Sequence, residues 1–462
     1  MTKRQFKHDL RRGLGSCYIE LKKCDSPEKY RDDLMWGCEH AFAYDTQSEG
    51  TRSPYLFGLI KLLGDYSDFC EFVAAKAKEN IKDYRNRFNH FARFLTLMAE
   101  DGSKEADRHV WDLYERLLNE LQTGRHTKRG TWPARDNMSS LCVYILNDMS
   151  GNGDDCIRFL LKAFSDYGNV MLKRPSLTVS ISDDWLESEA VDRLGRERIW
   201  ELMEENHDDP GINAYLEQWK KNRPLIKKDD VRPEPVLPPA KTAEEIYSGL
   251  AGGKRISMMK HMRRLEKENN RGEADKLARM YVNETDEMTR INLLTLFRGK
   301  WATRSLDRDC ITRLFSDMRS DDSELSELAE EVLTSARDER VRSYAEEILR
   351  DDPENEAALN MMLGNYRKGD GDLLIPMLKV PHASEKNDFR HWVYAVFLEL
   401  IEENKDADDE LSDALLPYIY REGNCSNCRR RIVEHMIRRD ILTPDIKKEC
   451  IYDCNEDIRA LV

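Results

Sequence analysis

Three clusters of residues have types and spacing that can do chemistry. The first runs from Trp36 to Arg52, WGCEHAFAYDTQSEGTR, where Asp45, Gln47, Glu49 and Arg52 crowd around Gly50. Asp45, Glu49 and His40 are of the types that serve as general acids, general bases or metal ligands. The plainer reading is a helix–helix connection whose polar side chains satisfy helix ends. The second runs from Arg125 to Asn137, RHTKRGTWPARDN. Arg125, Lys128, Arg129 and Arg135 precede its first acid, Asp136, and Trp132 sits among them. Cations beside an indole suit a phosphate or a stacked base. The alternative is a solvated loop in which Asp136 or Asn137 caps the next helix. If both loops lie on one edge of the fold, they are expected to form a single anion-binding site.

The third cluster is Cys425-x-x-Cys428 with Cys450-x-x-x-Cys454. Four thiolates would close a structural zinc site, whereas thiols buried at helix seams are the ordinary use of such cysteines. No other cofactor is expected. There is no G-x-x-x-x-G-K-[ST], no G-x-G-x-x-G after a strand, no H-E-x-x-H and no G-x-S-x-G. His90, His261 and His435 sit at helical spacing and read as packed side chains. Phe88, Phe91 and Phe94, at i, i+3 and i+6, read as core.

The elements that must position these residues are helices. Alternation with a period of two is nearly confined to Leu177–Ile181. Ser26-Pro27, Ser53-Pro54 and Thr443-Pro444 each place a capping oxygen before a proline at the first helical position. After Ser53, the residues Leu56, Leu59, Ile60 and Leu63 share one face. The stretch Asn222 to Ala240, NRPLIKKDDVRPEPVLPPA, is rich in proline and reads as a semi-rigid linker over 222–240. It separates a half at 1–221, with a formal charge of −5, from a half at 241–462, with −10.

Bulk composition narrows the class. The 462 residues are 35% charged and 40% hydrophobic, with 73 Lys and Arg against 87 Asp and Glu, a formal charge of −14. Dispersed Gly and Pro exclude a collagen-like chain. Aromatic and aliphatic residues at helical spacing exclude disorder, and no uncharged apolar run is long enough to span a bilayer. A membrane is therefore not an expected partner. The N-terminal MTKRQFKHDLRRGL lacks the pattern of a signal peptide, and with eleven cysteines this leads to the expectation of reduced thiols in the cytoplasm. Acidity counts against a general nucleic-acid binder, whose affinity comes from neutralising phosphates.

The C-terminal half repeats a motif. Asp286…Arg290, Asp338…Arg342, Asn427…Arg431 and Asn455…Arg459 place Asp or Asn four residues before Arg. Apolar residues follow at Leu296 and Phe297, Ile348 and Leu349, and Ile437, and Asp83 with Arg87 gives an N-terminal echo. An acid near a helix N-terminus complements the dipole, and an Arg one turn later can reach a neighbouring acid. The pattern resembles HEAT repeats, whose second helix often opens with Asp-x-x-Val-Arg and whose Asp and Arg form a ladder between repeats. That resemblance implies an all-α, HEAT/armadillo-like right-handed α-solenoid of antiparallel helix pairs, in two halves.

The expected function follows from fold class, absent enzyme motifs and a charge-rich surface. It is a non-enzymatic protein–protein interaction scaffold whose partner is another protein. One alternative is a nucleic-acid-binding, DNA glycosylase-like HEAT protein using the Arg125–Asn137 loop. A second is an enzyme with a polar site at Asp45–Arg52.

Overall fold

The computed structural model describes residues 1–82, 87–123, 133–151, 153–174, 184–222, 241–353, 355–371, 373–374, 387–403 and 409–462. It is 78% helix, with no strand among the described residues. No described helix is long and apolar enough to cross a membrane. Leu177–Ile181 and the proline-rich segment after Asn222 lie outside the described residues.

The chain divides into two compact units, one of Met1–Arg232 with Ile419–Val462 and the other of Pro233–Tyr418. The last 44 residues thus belong with the N-terminal residues, whereas the linker reading grouped them with 241–418. Several buried contacts cause this. Arg12 donates from Nε to the Glu422 carbonyl at 3.1 Å and from Nη2 to its carboxylate at 3.2 Å. Arg52 donates from Nη2 to the Asn424 carbonyl at 2.6 Å. The Cys454 amide donates to the Gly13 carbonyl at 2.9 Å. Two glycines make room for this seam. Gly13 ends the Lys3–Arg12 helix at φ +72°, where L side chains are disfavoured. A Cβ on Gly15 would lie 1.9 Å from the Glu449 carbonyl oxygen.

In the first unit the Arg87–Glu100 helix is central. It packs on Ser53–Lys61, Ser67–Glu79, Lys104–Thr123 and Pro133–Tyr144. Phe88, Phe91 and Phe94 are buried, as their spacing predicts, and full burial of each contributes roughly 2–3 kcal/mol. His90 packs among them with Nε2 3.1 Å from the Cys38 carbonyl. Its complete burial pushes its pKa down to about 3, so it stays neutral. The caps came out unevenly. Thr443 Oγ1 accepts from the Ile446 amide, as predicted. Ser53 Oγ instead donates to the His90 carbonyl at 2.7 Å, since Ser53 is itself the first helical residue and Arg52 holds the cap position. Ser26 precedes a short 3-10 turn, Pro27–Tyr30, without a side-chain cap.

In the second unit, short helices follow one another from Ala243–Ala251 to Glu356–Gly364. Most pack on the next helix or on one two or three places further along, burying residues such as Leu277, Tyr281, Leu293, Leu314, Leu333 and Val341. Thr242, Asp286, Asp307, Asp322, Asp338 and Asn355 cap their helices by accepting backbone N–H bonds. Each such cap is worth about 1 kcal/mol.

The Asp–Arg motif has a clear structural role. Asp286 and Asp338 are N-caps, and the arginines four residues later reach an acid further along the chain, in the Arg308–Asp317 helix for Arg290 and in the turn after Glu356–Gly364 for Arg342. Arg290 pairs with Asp317 at 2.5 Å and Arg342 with Asp370 at 2.6 Å. The same device recurs near the C-terminus, in the first unit, but two residues earlier than the sequence register. Cys425, not Asn427, is the N-cap, and Arg429, not Arg431, pairs with Asp453 at 2.8 Å. Asn455 caps the next short helix, and Arg459 donates to the Asp453 carbonyl at 2.7 Å. Asp83 lies outside the described residues.

Candidate binding cleft

A cleft with a volume of about 840 Å³ lies within the first unit. One wall is the turn from Thr46 to Tyr55. A second is made by Asn89 and Arg93 of the Arg87–Glu100 helix with Tyr144 and Trp185. The third comes from the C-terminal stretch, with Asn427, Tyr452, Asp453, Asn455, Asp457 and Arg459. The seam that joins the chain's two ends therefore also builds the cleft.

The second wall is the most ligand-like. The Arg93 guanidinium lies over the Tyr144 ring at 4.9 Å, and Tyr144 meets Trp185 edge to face at 6.5 Å. Trp185 is 48% exposed, rare for so large an apolar side chain here. Behind them the helix widens to π geometry over Ile145–Met149, a distortion often found at functional positions. It carries Asp148, which accepts from Thr96 Oγ1 at 2.5 Å and pairs with Arg93 at 2.9 Å. Burial raises the Asp148 pKa, while the Arg93 charge and the Thr96 hydrogen bond pull it down. Arg93 is thus held in place by an acid beneath it and a ring beside it. On the same helix Asn89 keeps a buried Oδ1 with no hydrogen-bond partner. Across the cleft Tyr18 stacks on Tyr452 at 5.5 Å.

The Asp45–Arg52 loop does reach this cleft, but its charged groups are largely used internally. Glu49 accepts from the Asp45 amide through Oε1 and from the Ser426 amide through Oε2, both at 2.9 Å. Ser48 Oγ donates to Asp45 Oδ2 at 2.7 Å. Arg52 is buried, lies 3.5 Å from Glu49 and also donates to the Arg11 carbonyl. These residues hold the turn against the C-terminal stretch. His40 stacks on Trp36 at 4.9 Å. Gln47 lies in the short Thr46–Glu49 helix.

Of the basic loop, Arg125, Lys128, Arg129 and Trp132 lie outside the described residues. Arg135 pairs with Asp136 at 2.9 Å, and Asn137 donates to the Ile81 carbonyl at 2.9 Å. None of these three lines the cleft.

The four cysteines are split. Cys425 and Cys428 lie together, with the Cys428 amide 3.5 Å from Cys425 Sγ. Their mutual hydrogen bond, with burial, raises the Cys428 thiol's pKa. Cys450 Sγ faces the Tyr420 hydroxyl at 3.9 Å, and Cys454 Sγ accepts from Arg429 at 3.3 Å. Burial pushes each of these two thiols up to about 11. No three of the four sulfurs come within 4.8 Å of one another.

Arg93, Tyr144 and Trp185 were not legible as a group in sequence, since they stand 51 or 41 residues apart on separate helices. No family model matches the chain, and no curated protein or solved structure matches it.

Proposed function

We propose that this protein is a non-enzymatic cytoplasmic scaffold, built as a HEAT-like α-solenoid, that binds a segment of another protein in the cleft of its first unit. The observation that carries this reading is the wall of Arg93, Tyr144 and Trp185. Arg, Tyr and Trp are the side chains most enriched at the energetic centres of protein interfaces. Here they stand beside Asn89, whose buried Oδ1 has no partner and can accept from a peptide backbone N–H. The Arg–Asp pairs that tie one helix of the second unit to a later segment support the HEAT-like part of the proposal.

Catalysis is less well served. The described lining contains no histidine, and its one thiol, Cys454, is pushed up to about 11 by burial. Ser48 Oγ does sit on the Asp45 carboxylate at 2.7 Å, but that hydrogen bond holds its own turn and no histidine stands beside it in the described lining.

The test is selection from a displayed peptide library against the full chain, followed by affinities for wild type, Trp185→Ala and Asn427→Ala. Loss of a hot-spot side chain costs about 2 kcal/mol or more, so Trp185→Ala should weaken selected peptides about 30-fold. Peptides indifferent to both substitutions would overturn the reading. So would a salt-dependent gel shift with nucleic acid that Trp185→Ala abolishes.

A further inference from the structure

We infer that Glu71, Glu105 and His109 form a binding site for a divalent transition-metal ion, with zinc the best match. The three lie away from the cleft, on two helices of the first unit that pack together, Ser67–Glu79 and Lys104–Thr123. Glu105 and His109 are four residues apart on one helix face, and Glu71 approaches from the other helix. One ligand atom from each lies within 4.8 Å of the other two.

His109 is what distinguishes this cluster from an ordinary acidic patch. The residue is only 8% exposed, and its Nε2 is buried with no hydrogen-bond partner. An imidazole nitrogen left in that state is unfavourable unless something satisfies it. It points at two carboxylates and stands 3.5 Å from Glu71 Oε1. Ligand atoms around a tetrahedral zinc, with bonds of 2.0–2.2 Å, are about 3.4 Å apart. Glu71 and Glu105 are partly exposed, so they can close the remaining distance by rotation.

The donor set decides the class of ion. Two carboxylates alone would suit calcium or magnesium, but an imidazole nitrogen favours zinc and its first-row neighbours. The adjacent Cys70 is buried and is not one of the three residues whose ligand atoms come together. Arg108 is a nearby competitor, with Nη2 3.4 Å from Glu105 Oε1, but it is exposed and free to swing aside. Three protein ligands leave a position for water. The ion would tie the two helices together.

The test is calorimetric titration of metal-stripped, reduced full-length protein with zinc chloride alone, repeated for Glu71→Gln, Glu105→Gln and the double variant. Both glutamates are exposed enough that the fold should survive. One equivalent is expected in wild type, weakened about 100-fold or more by either substitution, because losing a charged ligand costs more than the roughly 10–100-fold of an outer-sphere change. Cobalt spectra separate this site from thiolates elsewhere: nitrogen and oxygen ligands give weak d–d bands without sulfur charge transfer. Absence of binding overturns the proposal. Unchanged affinity in the double variant, or a cobalt spectrum of sulfur type alone, does so as well.

Discussion

Arg429 and Asp453, in the first unit, are both wholly shut off from solvent. In the second unit Arg290 with Asp317, and Arg342 with Asp370, keep a little exposure, at 13 and 3% and at 12 and 8%. The motif is the same and its dependence on one partner is not. Asp317 is shared among Arg290, Arg313 and the Tyr281 hydroxyl. Arg429 supplies the only ion pair made by Asp453 among the described residues, backed by the Asn455 amide. Asp317 spreads its charge over several groups, whereas Asp453, inside the C-terminal stretch that packs on the N-terminal residues, relies on one buried arginine.

The largest effect should come from breaking that pair. Arg429→Ala leaves a buried carboxylate uncompensated and should destabilise the first unit by about 3–5 kcal/mol. Arg290→Ala, with two partners remaining for Asp317, should cost the second unit only about 1 kcal/mol. Urea unfolding of the full chain, with hydrogen exchange to assign each transition, reads both numbers. Arg429→Met with Asp453→Leu should recover most of the loss. Equal costs for the two single variants would remove the contrast.

A smaller effect sharpens the same contrast through two glycines. Gly15→Ala drives a methyl group into the Glu449 carbonyl, 1.9 Å away, and should cost the first unit about 2–3 kcal/mol. Gly272→Ala lies in the Arg271–Asn283 helix of the second unit, with nothing closer than 3.8 Å. It should stabilise that unit by about 0.5 kcal/mol through helix propensity. A loss at Gly272, or no loss at Gly15, on the same unfolding curves would contradict the packing described.

The helical class, the aromatic core at Phe88, Phe91 and Phe94, and the Asp-x-x-x-Arg device are all local in sequence, and they were legible for that reason. The grouping of the C-terminal stretch with the N-terminus was not. Its signals are Gly13, Gly15, Arg12 and Arg52, which look like ordinary loop and helix-end residues until the far segment is placed against them. The two-residue shift from Arg431 to Arg429 has a similar cause. Asn427 is the better capping type, but Asp453 selects which arginine turns inward, and its position is a tertiary fact. The loop at Asp45–Arg52 was legible as crowded and polar, while its burial against Ser426 and Asn424 was not. Glu71, Glu105 and His109 show only half a signal, the i, i+4 pair on one helix, because the third member comes from another.

The smallest predicted effect concerns pH and again sets one unit against the other. His8 lies 2.9 Å from Asp9 and 3.2 Å from Glu422, with Arg12 alongside, so it too fastens the seam. Hydrogen bonds to Asp9 first and Glu422 second raise its pKa, against burial and the Arg12 charge. A raised pKa means the protonated form binds more tightly in the folded state. Its contribution is full below the unfolded value of about 6.5 and disappears as pH rises through the higher folded value. In the second unit His261 shifts the other way, lowered by burial first and then by the charge of Lys241. Its contribution is therefore present above about 6.5 and lost as pH falls through the depressed value. The stability difference between wild type and His8→Gln should decline from pH 6 to above neutrality, and by less in high salt. The corresponding difference for His261→Gln should slope in the opposite direction. Subtracting each variant's profile removes His90, which stays neutral down to about 3 in both proteins. Parallel slopes for the two histidines would mean that the Asp9–His8–Glu422 bridge does not hold the seam in solution.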